Sequence, residues 1–220
     1  MHQHALIVVC LVVLTLVIAQ AQAPNPPNPR DVQMAGDRFK PLKYDEMTPA
    51  QKTMFDHLLS GPRRGAGGPF NALLRSPEMG DLAQQFGASM RFSSSLPPRL
   101  NEMAIIITAR HWTSHYEWQA HRRAAANAGL KESIIQAIAE GKRPSGMQAD
   151  EEVLYNFCTE LLNTKEVSDA TFKAAVDKFG ERGVVDAIGV MGYYQLVSML
   201  LNVDRHPLPA GQKPELKPLK

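Results

Sequence analysis

Residues 99–129 read Arg-Leu-Asn-Glu-Met-Ala-Ile-Ile-Ile-Thr-Ala-Arg-His-Trp-Thr-Ser-His-Tyr-Glu-Trp-Gln-Ala-His-Arg-Arg-Ala-Ala-Ala-Asn-Ala-Gly, and this stretch decides the fold. Its pattern is helical, but one straight helix of that length would be unusual in a globular domain. It would also keep Glu102 and His121 apart: they stand nineteen positions from each other, roughly 100° around a common axis. The sequence offers a break. Ser114-His-Tyr-Glu117 fits a capping box, in which Ser accepts the amide three residues on and Glu returns the bond. A new helix starting near Ser114 lets the two halves bend and turns Glu102 toward the second one.

The same segment carries the chemistry. Glu102, Arg110, His111, His115, Glu117 and His121 crowd beside the apolar run Ala104 to Ile107. Glu117 and His121 are four apart and share a face. A carboxylate beside an imidazole fixes its tautomer and raises its basicity, which makes a general base. The competing reading is structural, with Glu117 serving the cap and the pair lying exposed. His111 and His115 are also four apart, yet the His-Glu-x-x-His pattern is absent and a cap at Ser114 would separate them, so no metal site is expected.

Working outward, helical signals fill the chain. Thr48-Pro49 supplies a cap and a first-turn proline, with Met54, Leu58 and Leu59 on the apolar face. Gly61 to Gly68 is a glycine- and arginine-rich loop, and Ser76-Pro77-Glu78 opens a helix to about Phe92, broken by Ser93-Ser-Ser-Leu-Pro-Pro98. Further helices are expected at Leu130 to Glu140, at Ala149 to Leu162, from Ser168 to Gly180, and from about Glu181 to Asn202. The β-branched Ile105-Ile-Ile107 and Val184-Val185 lie inside long patterns without turn signals, so length favours helix. The expectation is an all-α domain of about seven to eight helices over residues 47–205.

The flanks differ. Ala5 to Ala19 is apolar apart from Thr15 and ends in Ala19-Gln20-Ala21. That is short for a membrane span and reads as a signal peptide over residues 1–21, or otherwise as a retained anchor. Residues 22–46 read as a disordered proline-rich leader and 206–220 as a flexible tail. With the signal removed, Cys158 is the one cysteine left; it has no disulfide partner and sits in an apolar stripe that reads as core. The net charge of +2, with scattered basic residues and no nucleic-acid module, argues against a nucleic-acid partner. The expected location is periplasmic or secreted, without stable membrane association after signal removal.

Three clusters together resemble a known family. Arg99-Leu-x-Glu102-x-Ala-Ile-Ile-x-x-Ala-Arg110, then Glu117-Trp118-x-x-His121, then Ala-Gly129-Leu, is similar to the core motif of the carboxymuconolactone decarboxylase and alkylhydroperoxidase D group. Gly67-Gly-Pro-Phe-Asn-Ala-Leu-Leu-x-Ser-Pro-Glu78 resembles the segment upstream of it, and Phe179-Gly-Glu-Arg-Gly-Val-Val with Gly192-Tyr-Tyr-x-Leu-Val resembles its end. The likeness covers about residues 45–207. It implies an all-helical fold assembling into homotrimers or homohexamers. In the alkylhydroperoxidase branch a Cys-x-His-Cys motif follows the glutamate; here Ser114 and Glu117 stand at the two cysteine positions and Tyr116 at the intervening histidine. Dithiol peroxidase chemistry needs an attacking and a resolving thiol, and neither is in place.

The resemblance therefore implies a cofactor-free enzyme of the decarboxylase type, acting by proton transfer on a small lactone or oxygenated organic acid. In this reading His121 moves the proton, Glu117 orients it, and Glu102 is a second acid–base group. Arg110, Arg64, Ser114 and Tyr116 are the expected substrate contacts, and arginine suits a substrate carboxylate. The alternatives are an antioxidant peroxidase and a non-catalytic small-molecule-binding protein of the same fold.

Overall fold

A computed structural model describes residues 31–63 and 65–218. The expected signal peptide, the first part of the leader and Arg64 lie outside the described residues. Those described form eight α-helices and no strand. In chain order they are α1 (Pro49–Ser60), α2 (Phe70–Leu73), α3 (Pro77–Phe92), α4 (Pro98–His111), α5 (His115–Asn127), α6 (Glu132–Ala139), α7 (Ala149–Thr164) and α8 (Asp169–Asp204). The all-α expectation holds.

Helix α4 is the centre. Met103, Ala104, Ile105, Ile106 and Ala109 are completely buried, because α5, α6, α7 and α8 all pack against it. Helix α5 makes its main packing against α4, and α8 packs against both. A second apolar cluster joins Met54, Phe55 and Leu58 of α1 to Phe70, Leu73 and Leu74 around α2. Arg99 at the start of α4 is tied to Asp150 and Glu151 of α7; Glu151 is wholly buried, so this pair locks the two helices together.

The break between α4 and α5 falls where expected, at Trp112–Ser114, but a different device makes it. The Ser114 side chain accepts no capping bond, and its Oγ is buried with no protein partner. Instead α4 is closed at its own C-terminus. Thr113 turns left-handed (φ 48°), Thr113 N–H donates to Arg110 O and Ser114 N–H donates to Ala109 O. That is the Schellman pattern, and Arg110 Nη1 donates to Thr113 Oγ1 at 3.1 Å to hold it. Glu117 is thereby released from capping.

The expected stop at Gly180 is also present: α8 breaks there, with φ 70° and ψ 169°. Its second half contains a window long and apolar enough to cross a membrane, half of it buried inside the domain. Burial on one side is what a core helix requires.

Both flanks depart from expectation where they are described. Residues 31–46 are not loose. Met34 is buried, the amides of Asp37 and Phe39 donate to Asp204 Oδ1 at 3.2 and 2.8 Å, and Asn71 Nδ2 donates to Phe39 O at 2.7 Å. Gly36 permits this approach, since a Cβ there would stand 2.3 Å from Phe39 O. The tail is likewise stitched down. Arg110 Nη2 donates to Lys217 O, Gln119 Nε2 to Lys213 O and Trp118 Nε1 to Glu215, while Leu216 enters the core. Long-range hydrogen bonds to α4, α5 and α8 hold both segments, and composition carries no trace of them.

Candidate active site

Helix reversal at Thr113 brings Glu102 and His121 together. His121 Nδ1 lies 2.6 Å from Glu102 Oε2, and Nε2 lies 2.9 Å from Glu117 Oε1. The imidazole is 3% exposed, and the two carboxylates are nearly as deep. Burial alone would push its pKa down. The charge of Glu117 and hydrogen bonds from Glu102 and Glu117 outweigh burial and lift it to about 9. At neutral pH the ring is an imidazolium donating to a carboxylate at each nitrogen.

This corrects one expected role. A ring protonated on both nitrogens has no lone pair, so His121 is not a free general base at neutral pH. The basic atom belongs to Glu117. Both Glu117 and His121 line a cavity of about 240 Å³, whereas Glu102 does not reach it. Glu102 is thus the group that orients the ring, and Glu117 is the group that meets a ligand. The exposed-pair reading of Glu117 and His121 is excluded by their burial.

The other walls come from distant parts of the chain. Tyr193, Tyr194 and Val197 descend from α8, Phe70 from α2, and Arg63, Gly67 and Gly68 from the loop before it. Tyr194 sets its ring edge-on to His121, centroids 4.8 Å apart. Its hydroxyl is buried without a protein partner. Burial and then the charge of Glu117 raise its pKa well above the ordinary value, so it stays a neutral hydrogen-bond donor. Arg63 stacks over Phe70 and Tyr193 and donates from Nη2 to Tyr193 Oη at 3.4 Å. Its Nε is buried without a protein partner.

The expected contacts separate into three groups. Tyr116 lines the cavity and packs across Gly68, where a Cβ would stand 3.2 Å from its Cε1. Arg110 does not line it; it points away and is consumed by Thr113 and Lys217. Ser114 also faces elsewhere, into a second cavity with His115, His206 and the far side of Tyr116. The sequence does not single out Arg63, Tyr193 or Tyr194: the two tyrosines lie in an apolar helix, and Arg63 lies in a loop rich in glycine and arginine.

Cys158 is completely buried in the core, and burial pushes its thiol up to about 12. Among the described residues no group of three or more His, Cys, Asp or Glu side chains is placed to hold a metal ion. No family model matches the chain, and no curated protein matches it.

Proposed function

We propose that this chain is a cofactor-free acid–base enzyme of the carboxymuconolactone decarboxylase type, acting after export on a small lactone or related organic acid. One observation carries the reading: a buried Glu102–His121–Glu117 relay opens onto a cavity that also holds a guanidinium whose Nε has no protein partner and a neutral tyrosine hydroxyl. Relays of this kind move protons, since the imidazolium stores one beside the carboxylate that exchanges it.

In a decarboxylation the bond between carbon and the departing carboxylate breaks, and carbon dioxide leaves. The electron pair passes into a conjugated carbonyl, whose developing oxyanion takes a hydrogen bond from Tyr194 Oη. Arg63 holds a remaining carboxylate. The carbon then takes the proton stored on His121, handed over through the Glu117 carboxylate, and a proton from solvent restores the imidazolium. One proton is consumed per turnover. The resemblance to the family supports the same class, and the burial of Cys158 in the core, outside the cavity lining, counts against the peroxidase alternative.

We infer further that the protein acts as a homo-oligomer. Val185, Ile188, Met199 and Val203 leave an exposed apolar stripe along α8, which a second copy would cover. Light scattering at micromolar concentration tests this; a monomer refutes it.

The deciding experiment for the reaction is turnover of a panel of small carboxylated lactones in D2O. One deuterium on the carbon that loses carbon dioxide is the expected result. Ligands that bind the cavity without exchange or turnover would make it a binding site only.

A further inference from the structure

The second cavity has its own polar atoms, and none of the proton-transfer chemistry uses them. It encloses about 340 Å³ on the opposite side of Tyr116, between the start of α5 and the segment after α8. Ser114, His115 and His206 all line it, and Ser114 Oγ, His115 Nδ1 and His206 Nε2 are buried without a protein partner. Buried polar atoms are nearly always hydrogen-bonded, and leaving one unmet costs its full desolvation. Three in one cavity form a constellation that a ligand completes.

The chemistry of the walls selects the ligand. Asp204 Oδ2 stands 3.2 Å from His206 Nδ1, with both side chains 2% exposed. The tautomer that donates its Nδ1–H to this carboxylate leaves Nε2 as the ring's acceptor atom. Burial and then the charge of Arg110 push the pKa of His115 down, which keeps that ring neutral. Ser114 Oγ can accept or donate. The one guanidinium on the rim, Arg205, is already paired with Asp37 at 2.9 Å. Leu201, Leu208, Pro214 and the Tyr116 ring make most of the remaining surface apolar, and Asn202 also lines it with its Nδ2 already donating to Trp112 O at 2.9 Å. The cavity therefore combines acceptors with apolar walls and holds no unpaired charge.

We propose that this cavity binds a small neutral molecule carrying a hydroxyl on an apolar body of about one ring, its hydroxyl donating to His206 Nε2 and accepting from Ser114 Oγ. Because Tyr116 lines both cavities, occupancy here presses on the wall of the candidate active site.

Phenol is a suitable probe, with toluene as the partner of equal shape that lacks the hydroxyl. At pH 8 the imidazole 15N resonances of His206 and His121 are followed while each is titrated. Phenol is expected to bind at least tenfold more tightly than toluene and to shift the His206 Nε2 resonance first. Ser114→Ala should weaken phenol by about fivefold, and His206→Phe should make the two probes equal. Equal affinity for phenol and toluene in the unaltered protein overturns the proposal. So does a His206 Nε2 resonance unmoved at saturating phenol, the outcome if only ordered water meets these atoms. The resonance measurement needs no variant, so a His206→Phe chain that fails to fold does not blunt the test.

Discussion

His121 and His206 are both buried rings with a carboxylate on Nδ1, and they differ at the other nitrogen. His121 Nε2 meets a second carboxylate, Glu117; His206 Nε2 meets no protein group. One extra carboxylate changes what the ring is. Between two anions the imidazole is held as a cation, and its site is an ionic proton store. Beside one anion the other nitrogen is left without a protein partner, in a site with mostly apolar walls. The two lie back to back across Tyr116, so a single aromatic side chain divides a charged compartment from a neutral one.

The largest effect expected is at the doubly paired ring. His121→Ala leaves Glu102 and Glu117 buried with no cation between them. Breaking a buried ionic network in this way costs about 3–5 kcal/mol, to be read from urea unfolding at pH 7. A loss below about 1 kcal/mol would place this ring among exposed pairs and erase the contrast.

The pH dependence follows from the same cation. The folded ring titrates at about 9 against an ordinary value near 6.5, so folding is favoured by proton uptake. That stability is complete below about 6.5 and is lost as pH rises through about 9, a decline on the order of a few kcal/mol. Glu117→Gln removes the largest upward influence and should move the decline to lower pH. A stability curve flat from pH 6 to 10 would mean that the ring is neutral in the folded state.

Glu117→Gln also tests the chemistry, since it preserves shape and abolishes proton exchange. Turnover should fall by about a hundredfold or more with KM little changed. Gly87→Ala probes the aromatic support. A Cβ there would lie 2.0 Å from Tyr193 Cζ, so the ring must move, and Tyr193 packs edge-to-face with Tyr194, which packs on His121. A stability loss of about 1–3 kcal/mol with impaired turnover is expected, while His206 Nε2 keeps its resonance. The smallest effect belongs to Cys158→Ser, which should leave turnover within about twofold, the buried hydroxyl costing about 1–3 kcal/mol of stability. Thiol-dependent hydroperoxide turnover that vanishes in this variant would return the chain to the peroxidase reading.

Much of this was legible in the sequence wherever a property is local. Apolar periodicity reveals the helices, Gly180 the kink in α8, and the spacing of Glu102, Glu117 and His121 the relay. Other features depend on partners far along the chain. Glu117 suits both a cap and an ion pair four residues on; only the left-handed Thr113, which closes α4 by itself, decides between them. Arg110 looks like a ligand-binding cation until Lys217 reaches it. Tyr193 and Tyr194 are indistinguishable from core on an apolar helix, and the flanks look loose because proline-rich composition says nothing of Asp204 or Leu216.

The carboxylate of Asp204 gathers backbone from residues 37 and 39, about 165 positions earlier in the chain. Joining segments that far apart carries a large loop-closure cost, so such contacts form only after nearer ones have shortened the effective loop. The reversal of α4 into α5 is local and can assemble early; the clamp on Asp204 has to wait until α8 is in place. The same acid orients His206, so that ring is set only after the local pairing of Glu102, His121 and Glu117 within α4 and α5 has become possible.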